Sequence, residues 1–416
     1  MNMREMKDSG IEWIADIPEH WSVSKIGGLY SLRVTKVSDR DYPPLSVTNK
    51  GILPQLETAA KTNAHDDRKL VCKGDFAINS RSDRRGSCGI SSYTGSVSLI
   101  NTILRPMTEM HPQYYDWLFH TIQFGDEFYK WGHGIVDDLW TTGWQDMKKI
   151  SIPTPPITEQ AVIADFLDEQ CAEIDTLVTD IQSQIEVLEE YKRSVITEAV
   201  TNGLDPDVEM RDSGIAWVGD IPAHWLVEKV KFHLQRNEPR NPGDKQVLSV
   251  YREYGVIPKD SRDDNHNVTS EDTSNYKYVV PGNLVINKMK AWQGSMGVSE
   301  YEGIVSPAYF IYKFTDNQIM PKYLHYLFRS CYKDEFRRIS GGIREGQWDL
   351  SPYEFSNTLL LIPPTDEQNR IVSYIDARIS EIEFAITEKK QQIETIKEYR
   401  KSLMFEYVTG KKEVQA

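Results

Sequence analysis

Asp16-Ile-Pro-Glu-His-Trp21 is written a second time as Asp220-Ile-Pro-Ala-His-Trp225, 204 residues further on. Just before it, Met6-Lys-Asp-Ser-Gly-Ile-Glu-Trp13 returns as Met210-Arg-Asp-Ser-Gly-Ile-Ala-Trp217 at the same offset. Leu45-Ser-Val47 matches Leu248-Ser-Val250, and Gly51 matches Gly255. Gly74-Asp-Phe-Ala-Ile-Asn79 then matches Gly282-Asn-Leu-Val-Ile-Asn287, now 208 residues apart, and Glu159-Gln160 and Glu190-Tyr191 match Glu367-Gln368 and Glu398-Tyr399 at that same offset. The ends and the frame agree while the middles differ, so one scaffold is present twice with two different inserts. A period near 200 residues is a domain duplication, because solenoid units run about 20–50 residues. Two copies of one fold can pack about a pseudo-twofold axis, as two protomers would.

Each copy closes on a long helix. Ile152-Pro-Thr-Pro-Pro156 and Ile362-Pro-Pro364 stop what precedes, and Thr158 and Asp366 stand as N-cap candidates. In the first helix Ile174, Val178, Ile181, Ile185, Leu188, Lys192, Val195 and Ala199 alternate spacings of three and four. Ile379, Ile382, Ile386, Lys389, Ile393, Ile396, Arg400 and Leu403 do so in the second. Such a sustained heptad seam predicts a coiled coil, and two equal seams in one chain favour mutual packing over each helix lying on its own domain. Lys192 and Arg400 fall at equivalent seam positions, where a charge fixes register at some cost in stability.

The chain has 416 residues, enough for two to four domains, and its 39% apolar and 11% aromatic content suits globular packing. No apolar run reaches the ~18–20 residues of a membrane span, and no apolar signal-like segment opens the chain. Cys72, Cys88, Cys171 and Cys331 form no CxxC pair, which fits a reducing cytoplasm and argues against structural zinc. A net charge of −14 is unexpected for a protein that meets nucleic acid, but its distribution is uneven. Residues 159–201 carry eleven acidic against two basic side chains, whereas residues 61–85 and 231–262 each carry seven basic against four acidic. The acidity sits on a helix, so phosphate neutralisation is expected to be shared with a partner.

Reacting groups are missing from the sequence. There is no Asn-Pro-Pro-Phe/Tyr or Asp-Pro-Pro-Tyr stretch of an amino-methyltransferase, no Walker A loop and no Gly-x-Gly-x-x-Gly after a strand. His20 and His224 repeat beside Trp21 and Trp225, which reads as a packed, hydrogen-bonded histidine rather than a ligand. The expected metal and catalytic sets are therefore none.

What remains is recognition, for which base edges require long or amide side chains at a loop tip. The first copy offers Asn79-Ser-Arg-Ser-Asp-Arg-Arg-Gly-Ser87, and the aligned second copy offers Asn287-Lys-Met-Lys-Ala-Trp-Gln-Gly-Ser295. Arg81, Arg84 and Arg85 suit guanine or phosphate; Lys288, Lys290 and Gln293 suit phosphate or adenine; Trp292 suits a wedge or a stack. A second aligned pair is Thr48-Asn49-Lys50 against Tyr251-Arg252-Glu-Tyr254. A third lies before Trp140 and Trp348, with Arg344 and Gln347 as its contact candidates and the tryptophans as scaffold. For any one of these residues a surface loop without a partner is the alternative; the positional match between copies favours DNA contact. Asn79, Ser87 and Asn287 bound the paired loops and are contact candidates with them.

The Asp-Ser-Gly-Ile-x-Trp and Asp-Ile-Pro-x-His-Trp opening, its return at mid-chain and the Pro-rich Glu-Gln start of each long helix resemble the specificity subunits of type I restriction–modification systems. The resemblance covers essentially the whole chain. It implies an α+β fold with two α/β target-recognition domains in pseudo-twofold repeat, separated by a two-helix antiparallel coiled coil. On that reading residues 1–157 form the first recognition domain, 158–203 the first long helix, 204–365 the second domain, 366–410 the second helix and 411–416 a tail. It further implies a non-catalytic DNA-binding subunit that reads a bipartite, asymmetric target and docks two modification subunits, joined by restriction/translocase subunits. S-adenosylmethionine, ATP and Mg are expected on those partners and no cofactor on this chain. Three alternatives stay open: the recognition half of a type II-like methylase–nuclease system, a coiled-coil scaffold whose heads bind protein, and an independent transcription regulator, the last disfavoured by the acidic balance and the lack of a helix-turn-helix.

Overall fold

The computed structural model describes residues 4–55, 65–81, 86–134, 140–252, 254–261, 272–342 and 348–414. Among these residues the repeat in sequence is a repeat in topology. Met6–Asp8 pairs antiparallel with Asp16–Pro18, with Met6 opposite Pro18, and Met210–Asp212 pairs with Asp220–Pro222, with Met210 opposite Pro222. A four-stranded antiparallel sheet follows in the order Cys88–Ile90, Phe76–Asn79, Asn101–Pro106, Tyr30–Leu32. Its counterpart runs Met296–Val298, Leu284–Asn287, Tyr309–Phe314, Leu234–Arg236 in the same order.

The short apolar strands bury both faces, which is why they read as near-continuous apolar runs. Phe76 and Ile78 point into a large aromatic core with Tyr115, Phe119 and Phe124, while Ala77 joins a smaller cluster with Leu45, Ile52 and Val71. Leu284 and Ile286 likewise face the larger cluster of their own copy, and Val285 the smaller one. The aromatic segments expected after a proline are helices Pro112–Phe119 and Pro321–Ser330, each with proline in its first turn.

The long helices run Ile157–Asn202 and Thr365–Val408, 46 and 44 residues, or about 69 and 66 Å at 1.5 Å per residue. Both begin one residue before the expected boundary. Pro156 O accepts from the N–H groups of Glu159 and Gln160, and Pro364 O from those of Glu367 and Gln368. Thr158 and Asp366 therefore lie in the first turn, not at the N-cap, because the last proline carbonyl already closes that turn. Every expected seam residue, Ile174 through Leu403, is buried or half-buried.

The chain folds as two compact units, one of residues 1–182 with 390–416 and the other of residues 183–389. Each unit thus contains a piece of both long helices, which the linear segmentation did not anticipate. In the first, Arg400 Nε lies 3.6 Å from Asp175 and the Phe166 and Tyr407 rings are 4.4 Å apart. In the second, Lys192 Nζ lies 2.7 Å from Glu383, and Lys389 Nζ donates to Gln184 Oε1 at 2.5 Å. In each unit the residue number on one helix rises as that of its partner falls, so the pairing is antiparallel.

The opening motif is the joint of each unit. In the first, Glu159 accepts from Trp21 Nε1 at 3.0 Å and also meets His20 and Arg4. Burial raises the Glu159 carboxyl, but these bonds outweigh it and hold the group below its ordinary range. Beyond the end of the second helix, Gly410 takes φ +72°, and a Cβ there would come within 2.5 Å of Pro18 and 2.9 Å of Trp21. The second unit repeats this with His224 on Glu367 at 2.7 Å and with Gly203, φ +75°, against Glu367 and Trp225. Only glycine supplies a left-handed C-terminal residue in so little space.

Candidate nucleic-acid interface

Hydrogen bonds decide which side chains are available among the described residues of the paired loops. Asn79 is 6% exposed; its N–H donates to Ser87 O at 2.8 Å, and its Oδ1 accepts from Arg81 N at 3.1 Å. Asn287 does the same, with Ser295 O at 3.0 Å and Met289 N at 3.2 Å. Both asparagines turn the backbone where the strand ends, and Ser87 is buried. These three, expected as DNA contacts, also form the loop: the asparagine side-chain oxygens and the Ser87 backbone carbonyl are bonded to backbone N–H groups. Arg81 is exposed, on a backbone held by Tyr129 Oη at 3.0 Å and by a bridge to Thr141. Arg84, Arg85, Arg344 and Gln347 lie outside the described residues.

In the hairpin Leu45–Thr48/Gly51–Pro54, Thr48 Oγ1 accepts from Lys50 N at 3.1 Å and donates to Gly51 O at 2.9 Å. Thr48 is thereby tied into the turn, and Asn49 and Lys50 are exposed at its tip. They rim a groove of about 340 Å³ with His120, Arg400 and Lys401 on its walls. Beneath the hairpin, Gly89 approaches so closely that a Cβ on it would stand 2.9 Å from Gly51 Cα.

The equivalent hairpin, Leu248–Tyr251/Gly255–Pro258, is seated by Gly297 against Gly255 in the same way, a Cβ there meeting Gly255 Cα at 3.1 Å. Its support differs chemically. Asp116 Oδ1 accepts from Ile90 N at 2.6 Å in the first unit, whereas His325 Nδ1 accepts from Val298 N at 3.2 Å in the second. Burial, partly offset by His120 and by the Ile90 N–H, leaves the Asp116 carboxyl raised. Burial beside Arg329 and Lys322 pushes the His325 ring down to about 3. Arg329 Nη1 donates to Tyr251 O at 3.4 Å, and its Nη2 to Arg252 O, clamping the hairpin backbone.

The second unit also links its loops to one another. Arg252 donates to Gln293 Oε1. Trp292 donates to Met289 O at 3.2 Å and meets Trp348 edge-on at 5.5 Å. Lys288 Nζ pairs with Asp349 at 2.8 Å. Trp292 and Lys288 are thus engaged in holding the loop, while Lys290 and Arg252 are exposed. Trp140 plays the expected scaffold part, donating to Tyr129 O at 2.9 Å.

Local charge counting overstated the basic surface. Arg68 is buried on Ser96, Lys69 donates to Asn101 O at 2.6 Å, and Lys245 pairs with Glu302. These cations serve the fold. What sequence reasoning missed outright is the His325–Arg329 and Asp116–His120 supports; their shared spacing of four on a helix, in matching positions of the two copies, was the available signal.

Residues 233–395 match the family described as type I restriction modification DNA specificity domain. Those residues carry a type I DNA specificity domain by that match, and the proteins this chain is similar to are specificity subunits of type I restriction–modification systems. Similar relatives include the EcoKI specificity subunit of Escherichia coli K12, 23% identical over 55% of this chain and 50% of the relative. Another is the MjaVIII specificity subunit of Methanocaldococcus jannaschii, 26% identical over 52% of this chain and 49% of the relative. The aligned chain spans about half the length of these two relatives. In fold, the HsdS subunit of Thermoanaerobacter tengcongensis matches 95% of this chain and 98% of its own with a TM-score of 0.53 at 15% identity. A chain from a type I R-M system studied for its assembly and conformational transition matches 94% of this chain and 98% of its own with a TM-score of 0.68 at 11% identity. The α+β fold with two repeated domains and long helices is that of these structures. The family match covers part of the second copy, and the internal repeat extends the frame to the first.

Among the described residues no group of three metal-ligating side chains is present, and no helix is long and apolar enough to cross a membrane.

Proposed function

We propose that this chain is the DNA-reading subunit of a type I restriction–modification complex, each recognition domain reading one half of a split, asymmetric site. The observation that supports this reading most strongly is the pairing of identical frames with unlike loop tips. Asn49, Lys50 and Arg81 stand exposed on one frame, and Arg252 and Lys290 on the other. Equal frames present their loops in equivalent ways, and unlike tips select unlike sequences. The chain's own part is positioning: it supplies binding and sequence choice, and the chemistry falls to partners. Those partners are two modification subunits that methylate with S-adenosylmethionine, and restriction/translocase subunits that use ATP and Mg. The setting is the cytoplasm, and the four cysteines are free thiols. The acidic balance of −14 favours phosphate neutralisation shared with those subunits.

The test is reconstitution with modification subunits and mapping of methylation across random DNA. A split motif with two unrelated halves is expected, and Arg81→Ala should change preference in one half only, by about 1–3 kcal/mol where it removes a hydrogen-bonded base edge. Methylation without a split motif, or blurring of both halves by Arg81→Ala, would overturn the reading.

A further inference from the structure

The second unit carries a bond between two loops that limits what it can recognise. Arg252 lies at the tip of the hairpin Leu248–Tyr251/Gly255–Pro258, and Gln293 in the loop that leaves strand Leu284–Asn287. Their side chains meet on the exposed surface, Arg252 Nη2 donating to Gln293 Oε1. The orientation of this amide is fixed by chemistry. A guanidinium has five N–H donors and no acceptor, so the atom of Gln293 that faces it must be the carbonyl oxygen.

Two consequences follow. A glutamine reads adenine in a bidentate manner, accepting from N6 and donating to N7, and this needs its oxygen. In this chain the oxygen already accepts from Arg252, which takes one of its two lone pairs and fixes the amide plane, so the adenine reading that the sequence suggests for Gln293 competes with that bond. What Gln293 can still present is its amide hydrogens, and every polar hydrogen of Arg252 is also a donor. The pair is a donor-rich surface: the two amide hydrogens and the remaining guanidinium hydrogens outnumber the one lone pair left on the oxygen. The loops behind it are braced: Arg329 holds the backbone carbonyls of Tyr251 and Arg252, and the Trp292–Trp348 packing holds the Gln293 loop. The aligned position in the first copy is Arg85.

We infer that the Arg252–Gln293 pair reads a guanine in the half-site of the second domain, through the N7 and O6 acceptors of its major-groove edge. Guanine is the base that places two acceptors side by side there; thymine offers one with a methyl group, and adenine and cytosine each present a donor. The inference rests on the proposed DNA-reading function, and it assigns one residue pair to one class of base.

The experiment uses the full chain in the reconstituted methylating complex, with methylation of a random-sequence library as readout. The wild-type protein should require a guanine at one position of one half-site, and 7-deazaguanine there should reduce methylation. Gln293→Glu keeps an acceptor for Arg252 but removes the outward amide donors; discrimination for that guanine should fall roughly 5- to 150-fold. Arg252→Ala releases the Gln293 oxygen, and preference at the same base pair should move from guanine toward adenine. Both residues lie at the surface, and an unchanged methylation pattern in the other half-site shows that each variant is folded and assembled. A split motif in which neither variant alters any guanine preference would overturn the assignment while leaving the proposed function standing. Absence of any split motif in the wild type would instead remove the function on which it rests.

Discussion

Lowering the pH from 7.5 to 5 should loosen the hairpin seat of the second unit and leave that of the first intact. His325 Nδ1 accepts from the Val298 N–H, which requires a neutral ring with its proton on Nε2. Its ring is held down to about 3, chiefly by burial, with Arg329 and Lys322 adding repulsion. An exposed histidine in the unfolded chain titrates near 6.5. A base whose folded pKa is depressed binds its proton more tightly when unfolded, so its stabilisation is complete above about 6.5 and drains away as the pH falls toward 3. The whole difference is worth about 2 kcal/mol between pH 7.5 and 5; with the residue partly open to water, about 1–2 kcal/mol remains. Amide exchange reads this directly. The protection factor of Val298, corrected for intrinsic rate, should fall roughly 5- to 30-fold over that range. Ile90, whose N–H bonds the raised carboxyl of Asp116, should show no such loss. A carboxyl raised in the fold gains stability as the pH falls, which is the opposite sign. His325→Asn places an amide oxygen near the position of Nδ1 and cannot titrate, so it should abolish the pH dependence. Val298 protection that is flat with pH in the wild type, or that still falls in His325→Asn, would refute this account of the seat.

The glycine seats should be equally specific to their own unit: Gly89→Ala forces a methyl to 2.9 Å from Gly51, and Gly297→Ala one to 3.1 Å from Gly255. Each should cost about 1–3 kcal/mol in thermal unfolding and weaken reading of one half-site in methylation mapping. The buried glutamines at the helix starts should matter more than their surroundings suggest. Gln368→Ala strips the partner from Met320 N and from the Pro363 and Gln318 carbonyls, and Gln160→Ala from His111 N and Pro155 O. At about 1–3 kcal/mol per unsatisfied buried group, both should lower the urea midpoint, Gln368→Ala by the larger amount.

The amino-acid sequence by itself determined the duplication, the two long helices and their seams, and the strands Phe76–Asn79 and Leu284–Asn287. These are legible because they rest on local periodicity and on comparison of one half of the chain with the other, both one-dimensional properties. The chemistry of the loops was legible only as residue type. Tertiary structure decided which polar groups are spent and which remain. Asn79 and Asn287 close turns, Lys288 and Trp292 brace a loop, Arg68 and Lys69 hold strands, and Arg81, Lys50 and Lys290 stay exposed. Tertiary structure also decided that each unit is completed by residues from both long helices: Tyr114 donates to Val408 O at 2.7 Å in one unit, and Tyr323 to Val200 O at 3.3 Å in the other. No periodicity encodes such pairings. A hydrogen bond consumes a donor and an acceptor wherever folding brings them together, and the partners here lie 294 and 123 residues apart.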